Sequence, residues 1–241
     1  MKIIRTANYE EMSLKAAEIM IDRIRNNPEI TLGLATGSTP RGVYQKLIKD
    51  HVQNHTSYKK VKTINLDEYM GISEDDPNSY HYFMKTELLD HIDIPTAQTH
   101  LPDGRAEDLH AECANYENNI QSIGGIDLQL LGIGENGHIG FNEPGTPFDI
   151  LTHPVKLEED TRQANARFFN SIDEVPTHAV TMGIGTIMAS KEIILLASGA
   201  NKAKAMSLLI NGAIHESVPA TALRNHNNFT IIADEEALKL V

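Results

Sequence analysis

The chain has 241 residues, 41% of them hydrophobic, so it is long enough to bury the core of one large domain or two small ones. Its formal net charge of −12, with no basic stripe, excludes a nucleic-acid-binding protein. No apolar run approaches the roughly 18 residues of a membrane-spanning helix, and the N-terminus turns acidic too early for a signal peptide. Cys113 is the only cysteine, which excludes an intramolecular disulfide. We expect a cytoplasmic protein with no membrane or nucleic-acid partner.

Predicted helices and strands alternate along the chain. Apolar residues at helical spacing predict the helices, and short runs rich in Ile, Leu and Val predict the strands. In chain order, these are a strand from Lys2, the helix NYEEMSLKAAEIMIDRIRNN, the strand EITLGLATG, the helix TPRGVYQKLIKDHV, the strand VKTINL, the helices SYHYFMKTELLDHI and EDLHAECANYENNIQSI, the strands IDLQLLGIG, HAVTMGIG and EIILLASG, the helix NKAKAMSLLING, and FTIIADEEALKL, a strand followed by a helix over DEEALKL.

This alternation predicts an α/β fold with a mostly parallel, doubly wound sheet and helices on both of its faces. No linker, repeat or low-complexity segment divides the chain, so residues 1–241 are expected to form a single domain. Ligands of open α/β sheets bind beyond the carboxyl ends of the strands. Three predicted strand ends carry unusual residues, in the stretches ATGSTP, NLDEY and GIGENGHIGFNEP.

The stretch GIGENG matches the dinucleotide-binding pattern G-x-G-x-x-G and follows an apolar run. That pattern requires its third glycine to open a helix, whose N-terminus meets the pyrophosphate. Here the chain continues HIGFNEPGTPF, and two prolines and two glycines within these eleven residues prevent a helix of useful length. The glycines are instead expected to form a tight loop that directs His138 and Glu143 toward a ligand.

The stretch ATGSTP has the features of a phosphate site. Thr36, Gly37, Ser38 and Thr39 follow a predicted strand, and Pro40 can begin the next helix. Backbone amides, two kinds of hydroxyl side chain and the positive end of a helix all favour an anion. An N-cap formed by Ser38 or Thr39 explains this stretch equally well.

The stretch NLDEYMG places Asp67 and Glu68 just after a predicted strand. Adjacent residues of an extended chain point to opposite sides, so one of the two carboxylates at most should face a given site. A general base next to a substrate carbonyl is one interpretation, because partial burial can raise the pKa of a carboxylate. A solvated turn is the other.

Taken together, LATGSTP, NLDEYMG, GIGENGHIGFNEPGTP, QANARFFN and SGANKAKAM resemble the glucosamine-6-phosphate deaminase family, in order and over nearly the whole chain. They also resemble the wider group of sugar-phosphate isomerases that includes the 6-phosphogluconolactonases. Those lactonases carry a stretch of the type GHxASLFPG where this chain has GHIGFNEP. That difference favours the deaminases.

The resemblance implies an enzyme that converts glucosamine 6-phosphate into fructose 6-phosphate and ammonia, and it places the chain among the hydrolases of amino-sugar catabolism. By resemblance, His138 moves a proton between the ring oxygen and the anomeric hydroxyl to open the sugar ring, assisted by Glu143 and Asn136. Asp67 then takes the proton from C2 and returns it at C1. Asn136 departs from the family pattern as we know it, which has an aspartate at this position. The matching residue Glu68 receives no catalytic role.

The resemblance also implies how the substrate is held. Arg167 and Lys202 match family positions that bind the phosphate, together with the loop of residues 36–39. Because the chain carries a net charge of −12, it needs such local cations to bind a dianion. No metal ion or organic cofactor is expected, and the partner is a small amino-sugar phosphate. The chain is expected to be a monomer or a small homo-oligomer.

Two other functions fit a similar fold. One is the hydrolysis of a sugar lactone, which an assay of ammonia release from glucosamine 6-phosphate would distinguish from deamination. The other is a transcriptional regulator that senses a sugar phosphate. The predicted first strand begins at Lys2, which leaves no room for a preceding DNA-binding helix pair, and the negative charge also disfavours this function.

Overall fold

The computed structural model describes residues 1–166 and 169–241. The strands are β1 (Lys2–Thr6), β2 (Thr31–Leu34), β3 (Lys62–Asn65), β4 (Asp67–Tyr69), β5 (Thr99–His100), β6 (Leu128–Gly132), β7 (His153–Lys156), β8 (His178–Thr181), β9 (Glu192–Ala197) and β10 (Phe229–Asp234). The α-helices are α1 (Tyr9–Asn26), α2 (Arg41–Asn54), α3 (Tyr80–Glu87), α4 (Leu109–Ser122), α5 (Glu159–Asn165), α6 (Ile184–Met188) and α7 (Ala203–Asn211).

A parallel sheet forms the centre of the molecule. Among the described residues it has seven strands in the order β1-β10-β9-β6-β2-β3-β5, and every neighbouring pair is parallel. After β2 the chain adds β3 and β5 on one side, and it then returns to place β6 on the other side of β2. This reversal leaves a crevice beyond the carboxyl ends of β2 and β6, where open α/β sheets bind ligands.

Both faces of the sheet are covered, as the composition of its strands predicts. In β9, Ile193 and Leu195 pack into the apolar cluster that contains residues of α4, α6 and α7. Ile194 and Leu196 point the other way, into the cluster formed with α1, α2 and α3. Successive side chains of a strand alternate between faces, so a continuous apolar run is the pattern of a strand buried on both sides. The predicted α/β fold class is confirmed.

A second, smaller sheet differs from the prediction. The stretch HAVTMGIG was expected to continue the parallel pattern, but β8 instead lies between β4 and β7, antiparallel to both. Asp67 and Glu68 belong to β4 rather than to a loop, and Asp67 is paired with Thr181 of β8. Antiparallel strands need no helical crossover between them, so the regular strand–helix alternation could not reveal this sheet.

One predicted helix ends earlier than expected, and another does not form. The helix α3 ends at Glu87, because Leu88 takes a non-helical backbone conformation and its side chain is buried in the core. After β10, residues 235–240 form turns instead of a helix. The Asp234 carboxylate accepts the Ala237 amide, which holds the first of these turns against the end of the strand. Within the described ranges, no helix is both long and apolar enough to span a lipid bilayer.

Thr181 links the small sheet to the glycine-rich loop, since its buried hydroxyl accepts the Phe141 amide at 3.0 Å. Thr181→Val keeps the shape but leaves that amide unsatisfied, so it should lower the free energy of unfolding by about 1–3 kcal/mol. Thr63→Val is the matched control, because the buried Thr63 hydroxyl of β3 has no hydrogen-bond partner among the described residues. The control should be neutral or stabilising in urea unfolding. Equal costs for the two variants would contradict this role of Thr181.

Candidate active site

A polar cleft of about 580 Å³ occupies the crevice at the carboxyl ends of the parallel strands. Its walls come from the ends of β2, β3, β6 and β9 and from the first residue of α3. The polar residues that line it are Thr36, Ser38, Thr39, Asp67, Tyr80, Glu135, Asn136, His138, Thr161, Ser198, Asn201 and Lys202.

The cleft brings together most of the residues that the sequence singles out. Residues 36–39, Asp67, Asn136, His138 and Lys202 all line it. Glu143 stands directly behind His138 and Asn136. Arg167 lies outside the described residues, and its assignment to the phosphate stays a prediction.

His138 is held by a set of contacts that centre on the Glu143 carboxylate. The Nδ1 atom of His138 lies 3.3 Å from Oε2 of Glu143, within ion-pair range but without the alignment of a hydrogen bond. Asn136 donates its side-chain amide to the same oxygen at 2.7 Å and accepts the backbone amide of His138 with its own carbonyl oxygen at 3.1 Å. The hydroxyl of Thr161 donates to the other oxygen of Glu143. The imidazole is thus fixed beside a carboxylate that can stabilise its protonated form.

These contacts keep Glu143 ionised. The side chain is buried, and burial alone would raise its pKa. Interaction with His138 and the hydrogen bonds from Thr161 and Asn136 together outweigh that effect, so the pKa of Glu143 is lowered from its usual value. Glu143 is therefore a fixed negative charge at neutral pH, suited to orienting an imidazole that exchanges protons.

The glycines of the loop make room for this arrangement. A Cβ atom on Gly134 would lie 2.3 Å from the His138 ring, so only glycine allows the imidazole to fold back over the loop. Gly140 has a φ of +57°, and a Cβ there would come within 3.5 Å of the Asp67 carboxylate. The loop therefore brings backbone close to both His138 and Asp67. This agrees with the prediction of a tight loop, and residues 133–150 contain no helix that could hold a pyrophosphate.

Asp67 is the second titratable group in the cleft. Asp67 is the first residue of β4 and is 6% exposed. Burial raises its pKa to about 8, and the negative charge of the neighbouring Glu68 adds to the effect. A carboxyl with this pKa is a far stronger base than an exposed one. Because β4 is extended, Glu68 points away from the cleft, as expected for adjacent residues of a strand.

The loop of residues 36–39 faces the cleft from the end of β2. Gly37 has a φ of +94°, which lets the chain turn sharply there. The alternative role for Ser38 or Thr39, an N-cap of α2, is not observed, because the N-cap is Pro40 and no side chain caps this helix. Lys202 lines the same cleft immediately before α7. The cleft is thus lined by backbone amides, hydroxyls and a cation, which are the groups that bind a phosphate.

Two residues of the site were missed in the sequence. Thr161 lies on α5, in a polar segment where no element was predicted, and nothing in its spacing points to Glu143. Tyr80 lines the cleft from the first position of α3 and stacks on Phe141 with ring centroids 6.1 Å apart. Ser79 caps α3 by accepting the backbone amide of Tyr82 with its hydroxyl. A serine at this place was the sequence signal that the helix begins at Tyr80.

A histidine beside an ionised carboxylate and a buried carboxyl of raised pKa line one cleft at the switch point of a parallel sheet. This is the arrangement of an enzyme active site. The sequence profile described as glucosamine-6-phosphate isomerases/6-phosphogluconolactonase matches residues 5–232. The chain therefore belongs to this family. The resemblance seen in the sequence is confirmed.

Individual relatives agree with this membership. A glucosamine-6-phosphate deaminase of Geobacillus sp. strain WCH70 is 58% identical over all of this chain and 96% of its own length. The solved structure of a monomeric glucosamine-6-phosphate deaminase superposes with a TM-score of 0.98 at 52% identity, covering 100% of both chains. The 6-phosphogluconolactonase of Trypanosoma cruzi has a TM-score of 0.81 at 22% identity, covering 99% of this chain and 96% of its own. This last match shows a shared fold alone.

One prediction from the resemblance is wrong. The chain was placed among the hydrolases, whereas relatives at 52–58% identity are named glucosamine-6-phosphate deaminases. Their reaction is an isomerisation with loss of ammonia, of the lyase or isomerase type.

The contacts around Glu143 generate a test. Asn136→Asp replaces a donor to Glu143 by a like charge, and Thr161→Val removes the donor to its other oxygen. Both variants should raise the pKa of Glu143, Asn136→Asp by the larger amount, in a ¹³C NMR titration of the carboxyl. Asn170→Asp makes the same change at an exposed position and should leave this titration unaltered. An unchanged Glu143 titration in both site variants would contradict the network.

Proposed function

We propose that this chain converts glucosamine 6-phosphate into fructose 6-phosphate and ammonia. The observation that carries the proposal is the pairing, across one cleft, of a buried basic carboxyl with a histidine braced by an ionised glutamate. Ring opening and proton transfer next to a carbonyl need two such groups, one for the ring oxygen and one for carbon. The names of the relatives, deaminases at 52–58% identity, support the same substrate.

Ring opening is assigned to His138. The imidazole transfers a proton between the anomeric hydroxyl and the ring oxygen, so the C1–O5 bond breaks as the C1 carbonyl forms. A neighbouring negative charge is needed because the imidazole is positively charged midway through this transfer. Glu143 supplies that charge, and Asn136 and Thr161 keep it in position.

Proton transfer between carbons is assigned to Asp67. Once C1 is a carbonyl, the hydrogen on C2 becomes acidic, and the ionised carboxyl of Asp67 takes it to give an enolamine. The same group returns the proton at C1 while a proton passes from nitrogen to O1, so that C1 becomes a hydroxymethyl group and C2 an imine. Water then replaces the nitrogen, and ammonia departs. A carboxyl with a pKa of about 8 matches this task better than an ordinary aspartate, because its greater basicity lowers the barrier to proton removal.

The phosphate of the substrate is assigned to residues 36–39 and Lys202, with Arg167 as a further predicted contact. This fits a chain whose net charge of −12 would otherwise repel a dianion. The proposed steps use protein groups alone, without a metal ion or an organic cofactor. We further propose that the chain acts as a monomer, as the solved relative at 52% identity is described, and a cytoplasmic location stays a prediction.

The wild-type protein should release ammonia from glucosamine 6-phosphate. Asp67→Asn should abolish that release with little change in substrate affinity, because the amide has the same shape but cannot accept the C2 proton. Turnover is measured by a coupled ammonia assay and affinity by calorimetry. Asp75→Asn, an exposed change of the same kind, should turn over normally. Near-normal turnover of Asp67→Asn would remove Asp67 from this role, and lactone hydrolysis without ammonia release would overturn the proposed function.

The raised pKa of Asp67 also predicts how stability depends on pH. Between the ordinary value of 3.8 and about 8 the folded state binds one proton more than the unfolded state, so wild-type stability falls as pH rises through this range. Asp67→Asn has no carboxyl to titrate, so its stability does not fall with pH for this reason. In urea unfolding, the stability of the variant relative to wild type should therefore increase by about 2–4 kcal/mol between pH 5 and pH 9. A constant difference across this range would show that Asp67 titrates normally.

A further inference from the structure

Glu68 is a buried charge that the reaction steps leave unused. Its side chain is 2% exposed and lies on the side of β4 opposite the cleft. The backbone amides of Tyr69, Tyr80 and His81 donate to its two oxygens at 2.8–3.0 Å, and Nδ1 of His81 lies 2.9 Å from Oε2. Three backbone donors and an imidazole nitrogen thus surround the buried side chain of Glu68.

Two of the contacts join Glu68 to the start of α3. The amides of Tyr80 and His81 belong to the first turn of that helix, where backbone N–H groups have no partner within the helix and favour a negative charge. Tyr80 is also a wall of the active-site cleft. Glu68 therefore fixes α3 against β4, and with it the position of Tyr80 relative to Asp67.

His81 connects this carboxylate to a second cleft of about 450 Å³, outside the active site. The Nδ1 atom of the imidazole lies 2.9 Å from Glu68 on one side, while its Nε2 atom lies 3.8 Å from the exposed carboxylate of Glu74 on the other. It is the one ionisable side chain within salt-bridge range of Glu68 among the described residues. Glu68 thus contacts an imidazole, that of His81, which is itself partly exposed to solvent.

The ionisable groups around Asp67 are Glu135, His138 and Lys202, which line the same cleft, Glu68 on the same strand, and two phenols. Tyr80 of α3 and Tyr116 of α4 are the phenols near it, and burial raises the pKa of both, so they stay neutral. Glu68 is the nearby like charge that raises the pKa of Asp67 beyond the effect of burial. Its removal would therefore change the basicity of Asp67, as well as the packing of α3.

We propose that Glu68 and His81 form a positioning pair that keeps a negative charge behind Asp67 and so maintains its strength as a base. Glu68 supplies the charge, and the His81 imidazole limits it by donating to the same carboxylate. Neither residue touches the substrate in this account, so neither is catalytic. The inference rests on the proposed function, in which Asp67 removes the C2 proton.

The test compares three variants by the pH dependence of kcat/KM in the ammonia assay, whose acidic limb reports the free-enzyme pKa of the base. Glu68→Gln removes the like charge and should move that limb to lower pH, on the order of one pH unit, with a lower plateau in kcat. His81→Phe removes the imidazole that partly offsets the charge of Glu68 in this proposal, and it should move the limb to higher pH. Glu74→Gln, the matched control, removes an exposed carboxylate from the same region and should leave the limb in place.

Shifts of the acidic limb in opposite directions in Glu68→Gln and His81→Phe support the proposal. If the two residues only held α3 in place, the variants would lower activity without moving the limb in opposite directions. A limb that stays in place in both, or moves the same way in both, overturns it. If Glu68→Gln does not fold, the direction of the His81→Phe shift decides. If the wild type releases no ammonia, the proposed function fails separately, and a ¹³C NMR titration of Asp67 in the same variants decides on the pair.

Discussion

The burial of the Asp67 carboxyl is the constraint on which the rest of the site depends. Asp67 stands where the chain leaves β3 of the parallel sheet and enters β4 of the small antiparallel sheet. Asp67 pairs with Thr181 on the neighbouring strand, and the backbone of Gly140 lies near its carboxyl, so protein groups cover much of the residue. The small sheet is thus more than an addition to a common α/β core, because it provides the cover under which an aspartate becomes a strong base.

The surroundings of the two carboxyl groups of the site shift their pKa values in opposite directions. Asp67 is buried beside the like charge of Glu68, and both effects raise its pKa to about 8. Glu143 is also buried, but hydrogen bonds and His138 lower its pKa. Because their pKa values differ in this way, one carboxyl can act as a base while the other stays a fixed negative charge at the same pH. The proposed division of labour, with Asp67 moving carbon-bound protons and Glu143 supporting His138, follows from that difference.

Much of the fold and the cleft could be predicted from the sequence, because apolar runs and strand ends are local signals. The loop of residues 36–39, Asp67 and His138 were found in this way, and the parallel sheet that positions them is confirmed. The small sheet, the contact of Thr161 with Glu143 and the pairing of Glu68 with His81 join segments far apart in the chain. Such contacts leave no periodic pattern, so only the folded structure reveals them. The roles of the site residues stay predictions until they are measured.

The central claim, that one buried base moves the proton from C2 to C1, has a direct test in isotope transfer. Glucosamine 6-phosphate deuterated at C2 is converted in ordinary water, and the fructose 6-phosphate formed is analysed for deuterium at C1 by mass spectrometry and NMR. Asp67 is only 6% exposed, and in the proposed steps the group that takes the proton from C2 also returns it at C1, so a measurable fraction of the label should reach C1. Product with no deuterium at C1, even in single-turnover conditions, would contradict transfer by a shielded Asp67.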